Sequence, residues 1–141
     1  MTTLAIDYGE KRIGLAVSDP MGIIASGAGT LSAGPDLIDR ILALAAERNV
    51  GRIVVGLPLT LQGENGPVTN LVLAFVALLR TRTALPVETF DERFTSSMAT
   101  QTIRDLGVGR AKRRDKAKVD EIAAVHLLQG FLDRGANMRG R

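Results

Sequence analysis

The sequence predicts an α/β fold in which a five-stranded mixed sheet, with three antiparallel strands followed by parallel βαβ units, is flanked by helices. Three observations support this prediction. Two short apolar segments, Thr3–Tyr8 and Ile13–Ser18, are joined by a tight turn, as in a β-hairpin. A continuous apolar run at Arg52–Leu59 is typical of a strand covered on both faces. The segments on either side of this run carry apolar residues at helical spacing.

Turn-forming residues set the remaining strand boundaries. Gly9 supplies the backbone freedom that the turn of the hairpin requires. A third strand is predicted near Ile23–Leu31, where several glycines weaken the pattern. Pro58 ends the fourth strand because it cannot donate a backbone hydrogen bond. The fifth strand is predicted at Pro86–Phe90.

Four helices are predicted from apolar spacing and capping residues. The first opens at Gly34-Pro35-Asp36, and its apolar residues recur with helical periodicity at Leu37, Ile38, Ile41, Leu42 and Ala45. The other three are predicted at Pro67–Thr81, from a cap at Thr95 or Ser96 to Leu106, and at Val119–Arg134.

Composition limits the class of protein. With 141 residues, of which 45% are hydrophobic and 23% charged, the chain is expected to form a single domain over residues 1–141. The absence of Cys excludes a disulfide framework and a thiolate metal site. Met1–Leu4 leads directly into a strand, unlike a signal peptide, and the apolar stretch Leu71–Leu79 is too short to span a bilayer. A cytoplasmic location is therefore expected.

The basic residues are concentrated in one segment. Residues 110–118, RAKRRDKAK, contain six basic residues and one acid, so without them the formal net charge falls from +3 to −2. This concentration indicates a patch that binds a polyanion such as nucleic acid. A solvated loop kept for solubility is the alternative.

Four carboxylates lie within or next to predicted strands and helices. Asp7 lies within the first strand, Asp91 and Glu92 follow the last strand, and Asp120 lies in the first predicted turn of the last helix. Buried carboxylates repel one another, and a divalent cation with a preference for oxygen ligands, Mg²⁺ or Mn²⁺, would neutralise them. Two such ions, about 3.5–4 Å apart, would activate a water and stabilise the leaving oxygen of a phosphodiester.

Two of these acids also have a structural alternative. Asp7 can be a hydrogen-bonded structural acid, and Asp120 can be a favourable charge at a helix N-terminus. Asp91 and Glu92 compete for one role, because adjacent strand residues point to opposite faces and only one should face the metals. Gly14 is expected to admit either backbone or substrate at close range.

Four motifs resemble the YqgF/RuvX family over nearly the whole chain. They are IDYGEKRIGLAVSD, VVGLPL with downstream glycines, DERFTS and KVDEIAAVHLLQGFL, in the family's order and spacing. The family comprises ribonuclease H-like proteins described as pre-16S rRNA nucleases or Holliday-junction resolvase homologues. The resemblance implies a ribonuclease H-like fold and phosphodiester cleavage that depends on Mg²⁺ or Mn²⁺. It implies catalytic and metal-binding roles for Asp7, Glu92 and Asp120, with Asp91 as a competing ligand.

Basic residues near these acids are expected to contact the phosphate backbone. They are Lys11, Arg12, Arg93, Arg110, Lys112, Arg113, Arg114, Lys116 and Lys118. Aromatic residues make up only 4% of the chain and Trp is absent, so base stacking explains recognition poorly. The shape of the nucleic acid is therefore the expected determinant of recognition.

Three functions remain open at this stage. The leading hypothesis is a nuclease that processes the 5′ end of pre-16S rRNA during ribosome biogenesis, with structured RNA as its partner. The alternatives are a resolvase of Holliday junctions or other branched DNA, and a non-catalytic nucleic-acid-binding factor in rRNA maturation. The chain is expected to be a monomer or a homodimer, and a symmetric junction would require the dimer.

Overall fold

A computed structural model of the chain describes residues 1–59, 62–92 and 116–139. Its strands are β1 (Thr2–Asp7), β2 (Arg12–Ser18), β3 (Ala25–Ser32), β4 (Val50–Leu57) and β5 (Val87–Asp91). The helices in these ranges are α1 (Leu37–Glu47), α2 (Pro67–Arg82) and α3 (Lys116–Arg139). None of these helices combines the length and apolar character that crossing a membrane requires. The predicted helix that ends at Leu106 lies outside the described residues.

The five strands form one mixed sheet in the order β3-β2-β1-β4-β5. The β1–β2 and β2–β3 pairs are antiparallel, whereas the β1–β4 and β4–β5 pairs are parallel. The predicted mixed sheet is confirmed. Because β1, β4 and β5 run in the same direction, their carboxyl ends meet at one edge of the sheet.

Side chains of different size cover the two faces of the sheet. One face packs against α1 and α2 through large apolar side chains, which include Leu4, Ile6, Ile13, Leu15, Ile53 and Val55. The other face packs against α3 through a cluster with smaller members, namely Ala5, Ala16, Val54 and Phe90 with Ala124, Leu127, Leu128 and Leu132. Alternation along each strand produces this division, so Asp7, two residues after Ala5, belongs to the α3 face.

Two glycines on the α3 face leave no room for a side chain. A Cβ atom at Gly14 would lie 2.0 Å from the backbone oxygen of Asp120. A Cβ atom at Gly27 would lie 2.6 Å from the carboxyl carbon of Glu121. The open question at Gly14 is thereby answered, because the close neighbour is the backbone of α3. Helix α3 sits directly on the sheet at these positions.

Side chains of α3 also reach the outer edge of the sheet at β3. The carboxylate of Glu121 accepts a hydrogen bond from the N–H of Gly29 at 2.6 Å. Oε1 of Gln129 accepts one from the N–H of Ala25 at 3.0 Å, and its Nε2 donates to the carbonyl of Ile23 at 2.9 Å. Backbone groups at this edge are therefore satisfied by a helix that lies about 100 residues away in the sequence.

Several element boundaries differ from the sequence prediction. Strand β3 begins at Ala25, because the carboxylate of Asp19 accepts the N–H groups of Ile23 and Ile24 and holds them in a turn. Strand β4 begins at Val50, because Asn49 adopts a positive φ of 55° and directs the chain from α1 straight into the sheet. Helix α3 begins three residues before the predicted Val119 and ends five residues after the predicted end.

Candidate functional site

Asp7 and Glu92 meet at the carboxyl edge of the sheet. Asp7 is the last residue of β1, and Glu92 directly follows β5. Strand β4 separates these two strands, and its Gly56 carries no side chain. A Cβ atom at Gly56 would lie 2.5 Å from Oε1 of Glu92, so the glutamate side chain crosses β4 in the space that the glycine leaves. The two carboxyl groups form a hydrogen bond across this gap.

The pKa values of this pair are raised. The pKa of Asp7 is raised to about 8, mainly by burial and further by the charge of Glu92, the hydrogen bond with Glu92 and the charge of Asp120. Burial also raises the pKa of Glu92, as does the charge of Asp91, while the hydrogen bond from Asp7 opposes the rise. Two carboxylates this close resist ionising together, so the pair holds one shared proton near neutral pH.

Asp120 lies beside this pair on α3. It is the fifth residue of the helix, and its backbone packs over Gly14, which is paired with Asp7 in the sheet register. No acid lies in the first turn of α3, where a helix N-terminus stabilises a negative charge. The side chain instead forms an ion pair with Arg12, whose Nε lies 2.5 Å from Oδ2 of Asp120.

Asp91 and Glu92 occupy different environments, as the alternation of strand residues predicts. Asp91 ends β5 opposite Leu57 of β4, and its charge raises the pKa of Glu92. The hydrogen bond to Asp7 is made by Glu92. The geometry therefore favours Glu92 as the partner of Asp7, and the metal-binding role of either residue remains a prediction.

Two of the predicted phosphate contacts have described, exposed side chains. Lys11 is exposed in the turn between β1 and β2. Lys118 is exposed in the first turn of α3 and borders a cavity of about 270 Å³ next to Gly29 and Glu121. Apart from Arg12, the other predicted phosphate contacts lie outside the residues that the structure describes, namely Arg93, Arg110, Lys112, Arg113, Arg114 and the side chain of Lys116. Their contacts with phosphate stay predictions.

The oxygen donors at this edge suit a hard divalent cation. Within residues 1–59, 62–92 and 116–139, no three or more His, Cys, Asp or Glu side chains are grouped so that they could hold a metal ion together. The Asp7–Glu92 pair nevertheless has the donor chemistry of a Mg²⁺ or Mn²⁺ site, because a cation between the two groups would replace the shared proton. These residues therefore fit the predicted cofactor, with Asp120 adjacent.

Sequence reasoning missed two features of this site. The crossing of β4 by Glu92 depends on Gly56, a residue for which the sequence pattern predicts no role in the site. The ion pair of Arg12 and Asp120 joins residues 108 positions apart, and Arg12 had been expected to contact phosphate. The only sequence signal for the ion pair was the position of Arg12 beside the strand that carries Asp7.

Comparison with known proteins identifies the family. The sequence model of RuvX, described as a Holliday junction resolvase, matches residues 1–134. The chain belongs to the RuvX family. A RuvX relative from Chloroflexus aurantiacus, named as a candidate pre-16S rRNA nuclease, is 47% identical over 132 residues, which cover 92% of this chain and 85% of the relative. A relative of the same name from Porphyromonas gingivalis is 44% identical over 131 residues, which cover 92% and 94%.

A solved structure shares the architecture of this RuvX chain. RuvC of Thermus thermophilus, in complex with a Holliday junction substrate, superposes with a TM-score of 0.60 at 15% identity. The match covers 98% of this chain and 96% of the RuvC chain. At this level of identity the likeness concerns the fold, and it confirms the predicted ribonuclease H-like architecture.

Proposed function

We propose that this chain is a nuclease that hydrolyses phosphodiester bonds with Mg²⁺ or Mn²⁺ and processes the 5′ end of pre-16S rRNA during ribosome biogenesis. The observation that carries the proposal is the buried Asp7–Glu92 pair at the carboxyl edge of the sheet. A buried carboxyl pair with raised pKa values is unfavourable for the fold alone, and such pairs occur where a protein binds a cation or moves a proton. The names of the RuvX relatives support pre-16S rRNA as the substrate.

Each acid has a defined part in this proposal. Asp7 and Glu92 would hold the cation in place of their shared proton, with Asp120 as the third ligand and Asp91 as the competing one. Bound Mg²⁺ or Mn²⁺, two ions in this proposal, would supply water activation at neutral pH and stabilise the leaving oxygen. The packing of α3 on Gly14 keeps Asp120 at the same edge of the sheet as Asp7.

Binding of the nucleic acid is assigned to the basic residues around this edge. Lys11 and Lys118 have exposed side chains there, and the basic segment 110–118 ends at Lys118. Lys and Arg contacts with phosphates position a nucleic acid but do not read its sequence. Structured RNA, recognised by its shape, is therefore the proposed partner of a single RuvX domain over residues 1–141.

Branched DNA is the second candidate substrate. The family description as a Holliday junction resolvase and the shared fold with RuvC favour it. A symmetric junction has two equivalent strands to cut, so this function would require a homodimer, whereas RNA processing could use a monomer.

The third candidate, a non-catalytic binding factor in rRNA maturation, would need the basic residues but not the acids.

A cleavage assay with three labelled substrates tests these candidates. Purified protein would be incubated with a 16S precursor RNA fragment, a four-way DNA junction and a linear DNA duplex, each with Mg²⁺, Mn²⁺ or EDTA. Asp7→Asn is the test variant. Asp39→Asn is the matched control, because Asp39 is an exposed acid on α1. We expect metal-dependent cleavage of the RNA that Asp7→Asn abolishes and Asp39→Asn leaves unchanged.

The substrate that is cut decides between the candidates. Preferred cleavage of the junction would replace the RNA function with the resolvase function. Tight binding of the RNA without cleavage, equal in the unaltered protein and in Asp7→Asn, would contradict the nuclease and favour the binding factor.

A further inference from the structure

Arg12 has a fixed position on the sheet. It is the first residue of β2, and the preceding turn is tight enough that a Cβ atom at Gly9 would lie 2.5 Å from the carbonyl oxygen of Arg12. The carbonyl of Lys11 accepts the N–H of Ala33 at 2.9 Å, which ties this turn to the end of β3. The backbone from which the Arg12 side chain extends is therefore held on both sides.

The Arg12 side chain contacts Asp120 through one specific pair of atoms. Its Nε donates to Oδ2 of Asp120 at 2.5 Å, and both groups carry a charge, so the hydrogen bond is charge-assisted. A carboxylate has two oxygens and several lone pairs, so this contact leaves Oδ1 available to another ligand. Since the contact fixes one oxygen, it also fixes the direction of the other.

Asp120 lies close enough to Asp7 for its negative charge to raise the pKa of Asp7. A carboxylate ligand that is oriented by an outer hydrogen bond binds metal better, and losing such an outer partner typically costs roughly 10- to 100-fold in metal affinity. Arg12 also carries a positive charge, which opposes a bound cation. Its side chain is 29% exposed, so solvent and salt weaken this repulsion.

We propose that Arg12 is a positioning residue, which orients the carboxylate of Asp120 toward the divalent cation held by Asp7 and Glu92. The inference rests on the proposed metal-dependent function and assigns Arg12 a role other than the expected phosphate contact. Its guanidinium acts through Asp120 and not on the substrate.

Binding of Mn²⁺ in the absence of nucleic acid tests this role. Free Mn²⁺ would be measured by electron paramagnetic resonance during titration of the unaltered protein, Arg12→Gln, Arg12→Lys and Arg52→Gln. Arg52 is a matched control, because its side chain is 28% exposed and its Nε donates to Thr3 at 2.9 Å. Thr3 lies four residues before Asp7 on β1, a separation of about 13 Å.

We expect Arg12→Gln to weaken Mn²⁺ binding by roughly 10- to 100-fold, and Arg52→Gln to change it by less than about twofold, since charges beyond a Debye length are screened. Arg12→Lys should give an intermediate affinity, because an ammonium keeps the charge but lacks the planar geometry of the guanidinium. Circular dichroism of each variant would establish that it is folded.

Two outcomes overturn the inference, and they are distinguishable. Equal or tighter Mn²⁺ binding by Arg12→Gln, with normal binding by the unaltered protein, would refute the positioning role and leave the proposed function intact. If the unaltered protein binds no Mn²⁺, both the metal-dependent function and the role of Arg12 are wrong.

Discussion

The two faces of the sheet differ in the size of their side chains. The face toward α1 and α2 carries leucine, isoleucine and valine, and Leu4, Ile6 and Ile53 are fully buried there. The face toward α3 carries alanine and glycine at corresponding strand positions. Because Gly14 has no side chain, the backbone of α3 lies directly against the backbone of β2. The first face is an apolar core, whereas polar groups and ion pairs cluster at one end of the second.

This difference shows how a small chain separates stability from chemistry. Large side chains on one face form the larger of the two apolar clusters. Small residues on the other face place the backbone of α3 within reach of β1 and β2, which brings Asp120 beside Asp7. Substitutions on the two faces should therefore affect different properties.

The largest loss of stability is expected on the α1–α2 face. Leu4→Ala should lower the free energy of unfolding by about 2–5 kcal/mol, because it leaves a cavity in a fully buried position. The side chain points away from the carboxylates, so the folded variant should keep its Mn²⁺ affinity. Urea unfolding and Mn²⁺ titration check the two statements. A folded Leu4→Ala protein with much weaker Mn²⁺ binding would show that the faces are coupled.

On the α3 face, Gly14→Ala should lower stability by about 1–3 kcal/mol, because the new Cβ atom pushes α3 away from the sheet. This displacement moves Asp120, so Mn²⁺ affinity and cleavage should fall even in the folded protein. Gly34→Ala is the control, because among the described residues its Cβ atom would have Asp36 Oδ1 as its nearest neighbour, at the ordinary contact distance of 3.4 Å. Retained Mn²⁺ affinity in Gly14→Ala would contradict the placement of Asp120 by close packing.

The carboxyl pair should make stability depend on pH in EDTA. The pKa of Asp7 is raised in the folded state to about 8. Protonated Asp7 therefore stabilises the fold fully at a pH below the pKa of an unfolded Asp, and this contribution is lost as pH rises through the pKa of the folded state. We expect the Tm of the unaltered protein to fall relative to that of Asp7→Asn as pH rises from about 4 to 8. Differential scanning calorimetry would detect this.

Added Mn²⁺ should reverse that difference, because it stabilises the ionised pair. A Tm difference between the two proteins that stays constant from acidic to alkaline pH would contradict the raised pKa of Asp7.

The smallest effect is expected at the outer surface of the α1–α2 face. Arg82 of α2 pairs with Asp39 of α1, but both side chains are about half exposed or more. Such pairs contribute about 0.2–1 kcal/mol, so Arg82→Ala should change the unfolding midpoint little. A double-mutant cycle of Arg82 with Asp39, compared with one of Arg12 with Asp120, would measure both couplings. A stronger coupling at the exposed pair would reverse the comparison.

The sheet and its helices were predictable because they depend on local periodicity. Alternation and apolar runs located all five strands, and most strand and helix ends lie within one residue of the prediction. Boundaries failed where a single polar residue intervened, as at Asp19, whose carboxylate holds the backbone that had been assigned to β3. Such a hydrogen bond leaves no periodic signal in the sequence.

The acids of the site were predictable as residue types, but their partners were not. The motifs pointed to Asp7 and Glu92, and the alternation rule already implied that Asp91 and Glu92 face differently. Sequence spacing contains no distances between remote segments, so the contact of Arg12 with Asp120 and the passage of Glu92 over Gly56 needed coordinates. The metal-binding roles of these acids remain predictions.

The hydrogen bonds from α3 to β3 have a consequence for the nascent chain. Strand β3 is an edge strand, and the N–H groups of Ala25 and Gly29 are bound by side chains of α3. Helix α3 follows all five of the described strands in the sequence, so a ribosome that has released the chain only as far as β5 leaves the edge at β3 uncovered. Unpaired strand edges are templates for pairing with other chains, and the synthesis of α3 covers the edge at β3.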